Sequence, residues 1–328
     1  LVKIGTGRSD MLAFRGAYHG MSHFSMGMTG NLGAKSMIAS LGSGVHFLPY
    51  PELYRTALQS ANETGLHSET EISDANLHYI RSLLNDPESG MPLPAGVILE
   101  LGQGEGGVNP APLEWVRGLR ELTAEKNIPL MVDEVQTGLG RTGHIFAFEA
   151  AGIEPDVLIL SKAVGGGFPI AVVLFHEDLN KWPPGAHAGT FRGNQIAMVT
   201  GRRTMEVIQE ENIVENVREV GGLFRSELER MQARFPMFGH VRGRGFMLGV
   251  EIVDPTGKRD SSGFPAQAPR LAAQIQKNCF ERGLILEVGG RFSSVLRFLP
   301  PLNITRELVA EIISLLEAAC ADAERTQL

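Results

Sequence analysis

Ile128-Pro129-Leu130-Met131-Val132-Asp133-Glu134-Val135-Gln136 and, some twenty residues on, Val157-Leu158-Ile159-Leu160-Ser161-Lys162-Ala163 are two apolar runs that each give way to one chemistry-bearing residue. Continuous apolar runs of this length read as strands buried on both faces, as in a parallel sheet. Ligands of such sheets bind beyond the carboxyl ends of the strands. Asp133 and Lys162 therefore stand where a site is expected. Alternation puts Asp133 and Val135 on one face and Glu134 on the other. An acid and a β-branched residue sharing a face suit a flat heteroaromatic ring, the carboxylate holding a ring nitrogen protonated while the other side chain packs against the ring. An aspartate at a strand end is also commonly a turn or helix cap. A lysine at the end of a buried strand is out of place unless its amine is used, because burial lowers its proton affinity and makes it a nucleophile of the kind Schiff-base chemistry needs. Read alone it is a strand-end lysine reaching solvent; the aspartate one strand earlier is what favours the chemical reading.

Outward from this pair, the runs Met11–Phe14, 97–101 and 170–175 supply further buried strands, alternating with helical stretches such as Leu113–Glu125, where Leu113, Val116, Leu119 and Leu122 recur at near-helical spacing. This alternation is the mark of an α/β domain with a mostly parallel sheet. Residues 59–74 are polar and read as an exposed loop leading into a helix. One long amphipathic helix is expected over much of 195–234. After it, short strands at 246–252, 284–288 and 295–299 bracket helices near 269–282 and 305–325, a smaller α+β arrangement. The reading is thus of a large domain over residues 1–210 and a small C-terminal domain over 211–328.

Composition excludes more than it selects. A formal charge of −7 over 328 residues argues against nucleic acid as a partner. No apolar run approaches the roughly 20 residues that span a bilayer. Cys279 and Cys320 form no CxxC pair, so neither a disulfide framework nor a zinc site is expected, and a reducing cytoplasm fits. His19 and His23 have helical spacing but no acidic or cysteine ligand beside them, so no metal is expected. The chain opens on Leu1 rather than Met, and Leu1-Val2-Lys3 reads as the last turn of a helix, so a preceding segment is expected in the full protein. Gly138-Leu139-Gly140-Arg141-Thr142-Gly143 fits a dinucleotide fingerprint, but the next strand follows too soon for a crossover helix, and that reading leaves Asp133 and Lys162 without a role. Gly165, Gly166 and Gly167 give the backbone room near a ligand.

A third element, Gly189-Thr190-Phe191-Arg192-Gly193-Asn194, opens the long helical stretch; a hydroxyl and free N–H groups there suit a phosphate, or simply cap the helix. Together, the stretch from Asp133 to Gly143, Ser161-Lys162-Ala163 and Gly189-Thr190-Phe191 resemble the signature of class III aminotransferases, and the spaced elements occur in order across essentially the whole chain. The resemblance implies a fold type I pyridoxal-phosphate-dependent transferase, usually a homodimer. It implies that Lys162 binds pyridoxal 5′-phosphate covalently and later moves the substrate proton, and that Asp133 pairs with the ring nitrogen. It further implies that Val135 packs beneath the ring, that Gln136 bonds its 3′-oxygen, and that Tyr18 stacks on the opposite face with His19 beside it. Thr190 would reach the phosphate in the neighbouring subunit. For substrates, Arg297 matches the arginine that grips the α-carboxylate of glutamate or 2-oxoglutarate, and Glu105 the glutamate that neutralises this arginine for a second donor. Within the family, Ala13 to Gly20, Gly185 to Met198 and Gly283 to Thr305 resemble the diaminobutyrate–2-oxoglutarate branch. That branch would take L-2,4-diaminobutyrate as amino donor and 2-oxoglutarate as acceptor. An ornithine- or 4-aminobutyrate-type enzyme, a racemase or aminomutase, and a non-catalytic fragment are the alternatives. The chain departs from the pattern twice. Residues 1–10 hold no phosphate-binding Gly/Ser/Thr loop, and Met21 stands where some relatives place an arginine for a distal carboxylate.

Overall fold

The computed structural model describes residues 1–36, 38, 41, 44–58, 68–261 and 263–327. Among them the elements run α1 (Val2–Thr6), β1 (Met11–Phe14), α2 (His23–Met28), α3 (Leu32–Lys35), β2 (Val45–Leu48), α4 (Glu69–Asn85), β3 (Gly96–Leu99), β4 (Gly102–Gln103), β5 (Asn109–Pro110), α5 (Leu113–Glu125), β6 (Leu130–Asp133), β7 (Val157–Leu160) and β8 (Val172–Phe175). There follow α6 (Gln195–Glu210), α7 (Ile213–Gln232), β9 (Phe238–Arg244), β10 (Met247–Ile252), α8 (Pro269–Glu281), β11 (Glu287–Gly289), β12 (Val295–Phe298) and α9 (Arg306–Gln327).

Six strands form the main sheet in the order β2-β1-β3-β6-β7-β8, parallel throughout except for β8, which runs antiparallel to β7. β1 and β3 are buried along their whole length, as their unbroken apolar runs require. On one face α5 drives Trp115, Val116, Leu119 and Leu122 into the sheet. Trp115 meets Phe14 edge-on, ring centroids 5.3 Å apart at 78°. The segment read as a buried strand at 170–175 is a partial exception. β8 lies at the sheet edge and leaves Val173 and Leu174 about half exposed, because its outer side has no paired strand among the described residues. The opposite edge strand, β2, is short, carries His46, and gives little strand signal.

Residues 59–67 of the expected loop at 59–74 lie outside the described residues, and from Glu69 onward that stretch is already helix. Its start is set by a capping box. Ser68 Oγ accepts from the Glu71 N–H, and the Glu71 carboxylate accepts from the Ser68 N–H. The single helix expected over 195–234 is two helices. Asn212 breaks it at φ +51°, a left-handed conformation that asparagine tolerates better than most residues, and α7 starts afresh at Ile213.

A second, antiparallel sheet follows in the order β11-β12-β10-β9, flanked by α8 and α9. β9 went unread because Phe-Gly-His-Val-Arg-Gly-Arg is polar and glycine-rich, and β11 begins at Glu287 rather than at Leu284. Phe224 of α7, Phe246, Leu248, Leu296 and Leu316 share one core with Leu158 and Leu160 of β7. That shared core joins the second sheet to β7 of the main one.

Candidate active site

β6 and β7 are hydrogen-bonded parallel neighbours with Asp133 opposite Ile159, so both chemistry-bearing residues leave the sheet at the same edge. Asp133 closes β6. Lys162 opens a tight 3-10 turn (Lys162–Gly165) just past β7, with φ +50°. A residue with a side chain seldom occupies that region, and such strain collects at functional positions. The turn is braced from two sides. Ser161 Oγ donates to the Ile170 carbonyl at 2.9 Å, and a Cβ on Gly166 would come within 2.5 Å of the Thr200 carbonyl on α6. The expectation of a buried lysine is corrected here. Lys162 is exposed, and only Val164 and Gly165 of the turn are buried.

Asp133 is buried, and one of its oxygens lies 2.8 Å from Nδ1 of His19, itself almost wholly enclosed. The other oxygen accepts from the Val135 N–H at 3.1 Å. Each oxygen keeps a lone-pair site for a further donor. Glu134, on the opposite face, serves the fold. It accepts from Thr137 Oγ1 and the Phe148 N–H, and burial, moderated by the bonds it accepts, raises its proton affinity. Gln136 lies so close to Gly104 that a Cβ there would sit 1.7 Å from Gln136 Oε1, and that oxygen is buried without a partner. Tyr18 follows β1 with its ring partly exposed, and its N–H donates to a carboxylate that sequence reading passed over.

That carboxylate is Glu100. It accepts from the N–H of Tyr18 and the N–H of Gly104, each at 2.9 Å. Burial pushes its proton affinity up, to about 7; His19 lowers it, Asp133 raises it, and the two N–H donors lower it again. The signal that could have found it was the one that found Asp133, an acid at the end of an apolar run, but here it was absorbed into the strand read at 97–101.

Arg297 of β12 is buried to 2% exposure and forks onto Glu105, Nη1 to Oε2 at 3.1 Å and Nη2 to Oε1 at 3.0 Å. Nη1 also lies 3.2 Å from Glu287, while Nε is buried with no partner. Glu105 rides on the turn between β4 and β5 and is itself partly exposed. Thr190 is exposed on the segment leading into α6, beside Phe191 at 85% exposure. Met21 is half exposed. The dinucleotide-like glycine stretch leads into a short 3-10 turn rather than an α-helix, and Arg141 within it donates to the carbonyls of Phe246 and Pro300. Among the described residues no group of three His, Cys, Asp or Glu side chains could hold a metal ion.

These residues fit pyridoxal 5′-phosphate. The buried Asp133 has capacity for a ring nitrogen, an amine stands at the next strand end, and Gln136 keeps an unsatisfied polar atom facing the same loop. The model of the aminotransferase class-III family matches residues 2–320. The chain is 51% identical over 320 residues to the diaminobutyrate–2-oxoglutarate aminotransferase of Rhizobium meliloti (97% of this chain, 66% of the relative). It is 42% identical over 323 residues to the enzyme of that name from Haemophilus influenzae (98% and 70%). It thus spans about two thirds of the length of these relatives. Among solved structures, an amine transaminase from an uncultivated Pseudomonas species in its PLP-bound form superposes with a TM-score of 0.85 at 26% identity, over 98% of this chain and 72% of that one. An (S)-enantioselective ω-transaminase from Thermomicrobium roseum gives 0.84 at 26% identity, over 98% and 72%.

Proposed function

The chain belongs to the class III aminotransferases, and on that premise we propose that it carries out the transamination L-2,4-diaminobutyrate + 2-oxoglutarate = L-aspartate 4-semialdehyde + L-glutamate. The observation that carries the reading is the forked pair of Arg297 and Glu105. A buried arginine suits an α-carboxylate, which a planar guanidinium binds with two parallel hydrogen bonds. An acid already occupying that fork, and itself partly exposed, suits a donor that reacts at its terminal amine and has no carboxylate to place there. One site then serves two donors by the position of one side chain. The names of the 51% and 42% identical relatives support the choice of diaminobutyrate.

Bound pyridoxal 5′-phosphate supplies an aldehyde that takes up amines and an electron-poor ring that stabilises negative charge on the carbon next to the reacting nitrogen. Asp133 would hold the ring nitrogen protonated, with His19 fixing the orientation of the carboxylate. Lys162 Nζ would anchor the aldehyde carbon and, once a substrate amine has displaced it, carry a proton off the substrate carbon and return one to the neighbouring position. Val135 and Tyr18 would enclose the ring faces, and Gln136 would bond the ring hydroxyl. Glu105 would stay on Arg297 while the diamine reacts and leave it when 2-oxoglutarate enters.

A homodimer belongs to the same proposal. Phe191, Ile196, Met198 and Val199, at or near the start of α6, are between 56% and 85% exposed, and Phe191 and Met198 border an apolar concavity of about 1130 Å³ that runs to α1 and β8. Exposed apolar surface of this extent marks an interface. Thr190 would then face a neighbouring subunit's cofactor. No described helix is long and apolar enough to cross a membrane.

The deciding experiment uses the full-length enzyme with pyridoxal phosphate. The yellow band of the lysine-bound cofactor should bleach on addition of L-2,4-diaminobutyrate and return with 2-oxoglutarate. Borohydride trapping should mark Lys162. A band that answers L-glutamate and ornithine but not diaminobutyrate would remove the proposed donor and leave the aminotransferase.

A further inference from the structure

We propose that Glu100 is a positioning residue that ties the loop carrying Tyr18 and the turn at residues 104–107 to one carboxylate, so that donor exchange is made by the Glu105 side chain alone while the turn beneath it stays fixed. The inference rests on the aminotransferase reading above and goes beyond it in naming the residue that makes the switch local. Glu100 follows β3, the strand between β1 and β6, so it sits between the loop after β1 and the loop after β6. Its two oxygens reach in different directions, Oε1 to the Tyr18 N–H and Oε2 to the Gly104 N–H, each at 2.9 Å.

Gly104 is the residue before Glu105 and also packs against Gln136, so the clamp joins three parts of the site. The far side of the turn is held separately, where Arg242 Nε donates to the Gly107 carbonyl at 2.9 Å. Between these two fixed points the Glu105 side chain reaches Arg297 and is 43% exposed. Tyr50 fastens the main chain of Glu100, its hydroxyl donating to the Glu100 carbonyl at 2.9 Å. Of the two contacts the one to Gly104 is local, four residues on, whereas the one to Tyr18 spans 82 residues and closes no turn of its own. It has a reason if the distance between the ring-stacking residue and the carboxylate switch must be kept.

The test separates clamp from chemistry. Hydrogen exchange on the chain should show the Tyr18 and Gly104 amides protected. In Glu100→Asp, which shortens the reach by one methylene, both amides should exchange about tenfold faster, the scale of one lost buried hydrogen bond each, whereas in Glu100→Gln, whose side-chain oxygen still accepts, only the amide facing the new N–H should. In Glu100→Asp release of one amide without the other, or of neither, overturns the clamp; in Glu100→Gln release of neither does, and one variant suffices if the other does not fold. In the full-length enzyme, the KM for L-2,4-diaminobutyrate should rise about fivefold in Glu100→Gln, with that for L-glutamate unchanged, since only the diamine needs Glu105 held on Arg297. A pH profile adds a readout that general destabilisation would not move. Glu100 faces His19, Asp133 and Tyr50, and its proton uptake near pH 7 should shift the wild-type ratio of the two KM values, whereas Glu100→Gln should give a flat ratio. Equal loss for both donors overturns the proposal. A wild type inert to both donors sinks the aminotransferase reading, and with it the donor half of this one; the exchange data then decide the clamp alone.

Discussion

At the scale of single residues, the site separates groups held rigidly from groups left free. Asp133, His19 and Arg297 are enclosed, while Lys162 and Glu105 are reachable from solvent. That division matches their proposed work, because the first set orients and the second set moves. Replacing Arg297 by Lys keeps a positive charge but gives up the planar fork, a difference of about 2 kcal/mol for a charged bidentate contact. The KM for L-glutamate should therefore rise some thirtyfold, roughly, with little change in the diaminobutyrate half-reaction. Glu105→Gln should do the reverse, leaving Arg297 to the exposed Glu287 while the diamine reacts and slowing that half-reaction alone. Stopped-flow measurement of the two half-reactions with each donor checks both variants, and parallel losses in either would count against the switch. Asp133, Lys162, Arg297 and Glu105 were legible before the structure because each interrupts or follows an apolar run with a residue type that burial disfavours, or belongs to a resembling motif. Glu100 was not, although it ends the same kind of run, because a strand drawn two residues too long hid it. The exposure of Lys162 was not legible either, since a left-handed backbone at a lysine leaves no mark in the sequence.

At the scale of elements, sequence pattern named the buried strands well and the boundaries less well. β1, β3, β6 and β7 declare themselves by unbroken apolar runs, whereas β2 and β9 alternate with polar or glycine positions and carry no such mark. The break between α6 and α7 shows what periodicity misses. Apolar spacing continues across Glu211 and Asn212, and only the backbone angle at Asn212 divides the helix. We propose this break as the joint between the large domain (1–210) and the small one (211–328). Asn212 is exposed, so its identity can be tested without disturbing packing. Asn212→Gly should be neutral to slightly stabilising, whereas Asn212→Val should cost about 1–2 kcal/mol, the price of a left-handed β-branched residue. At the start of α4, Ser68→Ala removes the acceptor for the Glu71 N–H and should cost about 1 kcal/mol. Urea denaturation of the three variants reads all of these, and an Asn212→Val variant as stable as the wild type would show that the helix can run through.

At the scale of the whole molecule, the site lies where two sheets meet, and a charged seam holds them there. Glu251 of β10 receives Arg55, from the chain just after β2, at 2.5 Å, and Arg242 of β9 at 2.8 Å. Arg242 in turn holds the Gly107 carbonyl, and Arg291 pairs with the buried Glu52. Arg55 also reaches Asp260 at 3.0 Å, so Glu251→Gln would strip the nearly buried Arg242 of its carboxylate, for which about 3–5 kcal/mol is the usual cost. The pH dependence separates this from a packing defect. Burial alone would push the Glu251 proton affinity up, but Arg242 and Arg55 outweigh it and hold the carboxylate below its usual 4.5. A carboxylate depressed in the folded state stabilises the protein above its unfolded value, and that stability is lost as pH falls through the folded value. The gap between wild type and Glu251→Gln in urea midpoints should therefore be widest at neutral pH and narrow below about pH 4.5. Glu100 and Glu52 act with the opposite sign, because their raised proton affinities withdraw stability as pH climbs from 4.5 toward the folded value, about 7 for Glu100. The Glu100 contribution is common to wild type and variant and cancels in the difference, whereas the Glu251 charge helps to raise the Glu52 proton affinity, so its removal relieves Glu52 and offsets a small part of the gap at neutral pH. A gap that stays constant across that range would mean that Glu251 contributes shape rather than charge, and that the two sheets are held together by their shared apolar core.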